Sequence, residues 1–353
     1  MIDFRYHLVS IVAVFLALAI GIVLGSTELQ GPTYNLLNQT TAKLQNELNQ
    51  ASSQRDAAQQ QANLGQNYAQ AVEPVVLHDL LAGQRLLIIT EPGAPASVVT
   101  AISNAATQDA GATVTGQIAL QSKFFDNSDT TLDGLNQITL AMSQADNIVL
   151  NTGTPYQQQA AQVIASEILT RASASAAGQP GGLPSISSSA GSQQDTNAQT
   201  MLGAYANEGF LTISGQPSAP ATLAVIVTPQ TAPQDGSADP LDQILVPVAE
   251  ELAATSSATV VAGVSAGSGP GSPIAVLRAS SAASKVSTVD DADFVAGQSV
   301  VIQALAMQLN GGNPGSYGFA NGASAVGPSP APTPSSSASP STSATPTTKK
   351  PKK

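Results

Sequence analysis

The chain has 353 residues with 12 basic and 23 acidic side chains, a formal charge of −11, and neither cysteine nor tryptophan. Four of the bases are the lysines at 349, 350, 352 and 353, so residues 1–348 hold eight basic against 23 acidic side chains, a balance of −15 that repels nucleic acid and removes it as a partner. Only 10% of residues are charged and 4% aromatic, a composition that suits a soluble domain of small side chains flanked by flexible segments.

The first element is "MIDFRYHLVSIVAVFLALAIGIVLGS". Seventeen consecutive residues, Leu8 to Leu24, carry no charge, and as a helix they span about 26 Å, just enough to cross a bilayer. A secretory signal would carry a shorter apolar run ending in small residues, a role that Val23 and Gly25 fill poorly. A buried core helix is the third reading, and it fits poorly because the segment is apolar on every face and a long polar stretch follows it. Length favours an uncleaved membrane anchor over residues 8–25. Arg5 and the terminal amine precede the span and the next base is Lys43, so residues 1–7 are expected to be cytoplasmic and the rest of the chain extracytoplasmic. Ala13, Ala17 and Gly21 recur every four positions and let helices pack closely in lipid.

Residues 30–73 read as a helical stalk of roughly 60 Å. Leu37, Leu44, Ala51, Ala58, Gly65 and Val72 form one seam, with Thr41, Leu48, Arg55, Ala62 and Ala69 as its partner, in the alternating four-three spacing of a coiled coil. Its strong positions are Leu37, Leu44 and Leu48. Arg55 and Gly65 interrupt it, so the expected association is weak and leans on membrane tethering. A single solvated helix remains the alternative. Pro32 is compatible with a start near it, and Pro74 is expected to end the helix.

Over residues 75–325 short β-rich runs alternate with helical stretches. "RLLIIT", "ATVTGQIAL", "NIVLNT", "GFLTIS", "TLAVIVTP" and "TVVAGVS" read as strands. Residues near 96–109, 155–172, 196–207 and 240–254 read as helices, and further helices are expected from Ser272 and Pro273 onward and after Asp293. The alternation implies an α/β, Rossmann-like domain with a mainly parallel sheet. A Gly/Pro/Ser-rich run at about 174–197 reads as a long surface loop. Residues 326–353, rich in Pro, Ser and Thr and ending in lysines, read as a disordered tail.

Four places invite chemistry. Gly267, Gly269 and Gly271 follow a predicted strand and precede a helix, but their G-x-G-x-G spacing lacks the third glycine of a dinucleotide fingerprint and the lysine of a P-loop. Gly263, Ser265 and Gly267 match G-x-S-x-G, yet the only histidines are His7 and His78, both upstream of the serine, whereas that hydrolase order puts its base downstream. Asp290, Asp291 and Asp293 are candidate ligands for a hard cation; the competing reading is a helix cap. Soft copper would need thiolate, thioether or imidazole donors, and Met142, Met201 and Met307 are far apart in sequence. No catalytic residue and no cofactor site is legible, and an enzyme is not expected.

The opening segment, the Gln-rich helix behind it, "GSPIAVLRAS", "KVSTVDDADFVAGQSVVIQALAMQL" and "GSYGFANGA" together resemble the actinobacterial copper transport outer membrane protein family, typified by mycobacterial copper transport protein B. The likeness covers residues 1 to about 325. It implies an envelope protein of copper homeostasis, described as a channel-forming efflux component; copper and the outer membrane enter only through this resemblance. The residues themselves depart from a barrel, since repeated ten-residue alternating strands and aromatic girdles are missing. A pore would therefore need oligomerisation around the N-terminal helix, which carries no ionisable residue between Leu8 and Leu24. Two functions follow: a copper-efflux component, or a non-enzymatic envelope scaffold that binds a partner in the cell-wall space. Both imply membrane lipid as a partner and a homo-oligomer formed through membrane helix and stalk.

Overall fold

The computed structural model describes residues 4–28, 30–171, 191–217, 219–232 and 240–329. The chain divides into two compact units, Met1–Tyr68 and Ala69–Lys353.

The first unit is helical. α1 (Phe4–Glu28) holds the uncharged run, and α2 (Gln30–Leu77), 48 residues long, starts in this unit and ends in the second. Within α1 the stretch Arg5–Gly25 is long and apolar enough to cross a membrane and is wholly exposed. Along α2 the side chains of Leu37, Leu44 and Leu48 are exposed. Contrary to the expectation from the sequence, Pro74 does not end the helix; α2 runs on to Leu77. The proline lies within the final turn, so it removes only the bond to the Gln70 carbonyl.

The second unit is built on a seven-stranded sheet of order β3-β2-β1-β4-β5-β6-β7. The strands are β1 (Arg85–Thr90), β2 (Thr113–Leu120), β3 (Leu211–Gly215), β4 (Leu223–Val227), β5 (Ala258–Ala262), β6 (Ser287–Val289) and β7 (Ser316–Tyr317). Every pairing is parallel except that of β2 with β3. The α/β reading of the sequence holds.

Period-two alternation along the strands sends side chains to two cores. Leu87, Ile89, Ile118, Ala224, Ile226 and Val261 face one core with α4 (Asp129–Ala145), α5 (Tyr156–Ile168), α6 (Gly191–Asn207), α7 (Pro240–Thr255) and α8 (Pro273–Arg278). Leu86, Ile88, Val225, Val227, Val260 and Val289 face the other with α3 (Ala96–Asn104), α9 (Val295–Leu309), Leu77 and Leu81. A parallel sheet needs this cover on both faces, and its central strands are accordingly apolar but for Arg85, Thr90 and Thr259. Within this unit the last turns of α2 are tied to α9, Ser299 donating to Glu73 at 3.1 Å.

The sequence reading did not include α4, β6 or β7, and two more of its expectations in this unit fail. "NIVLNT" is not a strand: Asn147 has φ 55°, and the Gln162 amide of α5 accepts from the Asn151 N–H at 3.1 Å and donates to the Val149 carbonyl at 3.0 Å. A side chain thus satisfies the backbone groups that a neighbouring strand would have used. The loop expected over 174–197 yields to helix at Gly191, and residues 174–190 lie outside the described residues, as do residues 330–353 of the expected tail.

Candidate functional site

In a sheet of this kind ligands gather at the carboxyl ends of the strands, where the order reverses between β1 and β4. Here the described parts of the loops at that end are tied to one another. The Gln230 N–H donates to the Gly93 carbonyl at 3.1 Å, joining the loops after β4 and β1. Gly267, in the loop after β5, is buried so tightly on the Pro229 carbonyl that a β-carbon there would collide with it. Gly263 has the same role against Ile274, Ser268 and Thr228. These glycines serve close packing of backbone on its neighbours.

The motif serine sits beside them without a base. Ser265 donates both its N–H and its hydroxyl to Asp293 Oδ1, each at 2.9 Å. His78 is exposed and 3.4 Å from Asp79, and His7 lies on α1. The Asp293–Ser265 pair closes the loop after β5 onto the loop after β6.

The three aspartates each have a different surrounding. Asp290, the residue after β6, is buried against Arg278, the last residue of α8, with Oδ2 2.8 Å from the guanidinium Nη2. Its carboxylate also accepts the backbone N–H groups of Phe319 at 2.8 Å and Ala320 at 3.0 Å. Arg278 donates in addition to Thr288 Oγ1 at 2.9 Å and to the Tyr317 carbonyl at 2.7 Å. The buried pair therefore pins β6, α8 and the loop after β7 together. Gly318, at φ 117°, runs against the Asp290 carboxylate and leaves no space for a β-carbon.

Asp291 has no such support. Its side chain is 2% exposed, and Oδ1 has no hydrogen-bond partner among the described residues. Gly297, in the first turn of α9, packs on its carbonyl and carboxylate. Burial first, and then the Asp290 charge, push its pKa up to about 6, with Asp293 adding and Arg278 opposing. None of the three aspartates caps α9, which corrects the cap reading: the N-cap is Phe294, without a side-chain hydrogen bond.

No group of three or more His, Asp and Glu side chains is placed to hold a metal ion among the described residues. The methionines among the described residues are built into packing: Met201 is fully buried, Met142 joins the same core, and Met307 lies in the opposite one and accepts from the Tyr317 hydroxyl at 3.7 Å. Ala13, Ala17 and Gly21 lie on the exposed α1. Sequence reasoning missed Arg278, although it is one of only five bases between residues 75 and 329. A lone base within the apolar run PIAVLR of so acidic a body was the available signal.

These features define a class: an α/β domain with a doubly covered, mainly parallel sheet, behind a helix that fits a membrane anchor. The chain belongs to the copper transport outer membrane protein family, MctB, whose model matches residues 1–328. It is 30% identical over 331 residues to the copper transporter MctB of Mycobacterium tuberculosis, covering 92% of this chain and 99% of that protein. The Mycobacterium bovis protein of the same name matches equally, and that of Mycobacterium leprae is 28% identical over 334 residues. The resemblance read from the two ends of the sequence is thereby established over the whole α/β domain.

Proposed function

We propose that the protein is a membrane-anchored, non-enzymatic component of copper efflux, with its N-terminus in the cytoplasm, its α/β domain outside the membrane and copper as the exported substrate. One observation carries the reading: the family match runs unbroken from α1 through the last strand. Anchor and domain thus form one inherited unit. Self-association through α1 and the Leu37, Leu44 and Leu48 face of α2 would gather several copies at the membrane.

A second reading has its own support. The described methionines are spent in core packing, and α1 offers no ionisable group between Leu8 and Leu24 to line an ion path. A scaffold that serves copper export through an envelope partner, without touching the ion, accounts for both.

The test is cellular copper, measured by mass spectrometry in a deletion strain grown with added copper. Complementation uses the full chain, or a variant whose residues 1–25 are replaced by a cleavable export signal. The efflux reading expects copper to rise on deletion and to fall again only with the anchored chain. Unchanged copper together with a weakened envelope selects a general scaffold instead.

A further inference from the structure

The amino-terminal edge of the sheet carries a groove of about 410 Å³, lined by Arg171, Glu250, Ser257, Lys285, Gln308 and Gly312 among others. Residues 75–329 contain 18 acidic side chains and only five basic ones. Two of those five line this groove.

Both cations are held by one turn of α7. Arg171 donates from Nε and Nη2 to the Ala254 carbonyl at 3.1 and 2.8 Å, and from Nη2 to that of Ala253 at 3.3 Å. Lys285 lies 3.3 Å from Glu250. Residues 250 and 254 are one turn apart on α7, so both cations are tied to the same end of that helix while they line the same groove.

The electrostatics have two opposing parts. The carboxyl end of α7 and Glu250 disfavour an anion, but Arg171 already satisfies the carbonyls of Ala253 and Ala254, and Glu250 accepts from Ser281 at 2.7 Å as well as pairing with Lys285. Arg171 Nη1 makes no hydrogen bond among the described residues, and Lys285 is half exposed with Glu250 as its single ion-pair partner there. The guanidinium is thus fixed in orientation with one donor edge left for a ligand.

We propose that this groove is a binding site for an oxyanion, a phosphate or carboxylate group, held between Arg171 and Lys285. The anion is either free or borne on an envelope polymer, and the chemistry is the same for both.

The experiment uses the full chain in detergent micelles at low ionic strength, titrated calorimetrically with inorganic phosphate, succinate and poly(glycerol phosphate). Saturable binding is expected that weakens about tenfold in Arg171→Gln/Lys285→Gln. Glu250→Gln removes the competing carboxylate and should tighten binding, an outcome that a merely damaged fold does not produce. Polymer bound more tightly than inorganic phosphate per phosphate group makes the ligand polymer-borne; equal affinity makes it a free anion. No saturable heat with any of the three, or binding untouched by the double substitution, overturns the site.

Discussion

Asp290 and Asp291 are neighbours in sequence and both 2% exposed, yet one is fully hydrogen-bonded and paired with Arg278 while the other holds a free carboxylate oxygen. The pH dependence of the domain follows from that contrast. An acid whose folded pKa is raised binds protons more tightly when folded than when unfolded. Stability attributable to Asp291 is therefore fully present below its ordinary pKa of 3.8 and is lost as pH rises from there through about 6. Asp291→Asn should raise the melting temperature by about 2–4 °C at pH 7.5 and lose most of that gain at about pH 3.5. Differential scanning calorimetry at the two pH values checks this, and a melting point lowered at both would refute it. The cluster itself was legible as three carboxylates before an apolar run. Their division of labour was not, because it depends on Arg278 and on the backbone of 318–320, which the fold brings to Asp290 from other elements.

At the scale of elements, strongly apolar segments were readable, whereas the polar-rich α4, 17 residues long, and the shortest strands were not. β1, β4 and β5 stood out as apolar runs between turn residues. β6 and β7 have three and two residues, too few for a period, and are placed by side chains: Gln308 of α9 donates to Ser287 Oγ at 2.8 Å, and Arg278 holds the Tyr317 carbonyl. "NIVLNT" failed for the complementary reason, since it has strand composition but Gln162 takes its backbone bonds. The stalk makes its own prediction. Leu37, Leu44 and Leu48 are each at least 60% exposed and share one helix face, a liability in water that a parallel second copy removes. In membranes, Leu44→Cys should form disulfide-linked dimers on mild oxidation, whereas Asn46→Cys, on another face, should not. Adding Leu37→Ala and Leu48→Ala should cut the crosslinked fraction about tenfold. Equal crosslinking from positions 44 and 46 would leave α2 a single solvated helix.

For the whole molecule, a chain without cysteine reports its own topology once a single thiol is added. The expected orientation rests on the base before the span, Arg5, against an acidic body whose first base after the span is Lys43. Tyr6, on α1, and Thr100, on α3, are both exposed on their own elements, so accessibility at either is decided by the membrane and not by burial in the fold. In intact cells a small membrane-impermeant maleimide should label Thr100→Cys fully and leave Tyr6→Cys unlabelled until the membrane is permeabilised. The reverse pattern would put the α/β domain in the cytoplasm, where it would meet copper before export. Labelling of both sites in intact cells would mean that α1 does not span, and it would remove the anchor from the mechanism. The expected pattern places the α/β domain on the receiving side of the membrane, so any contribution it makes to efflux must come after copper has crossed.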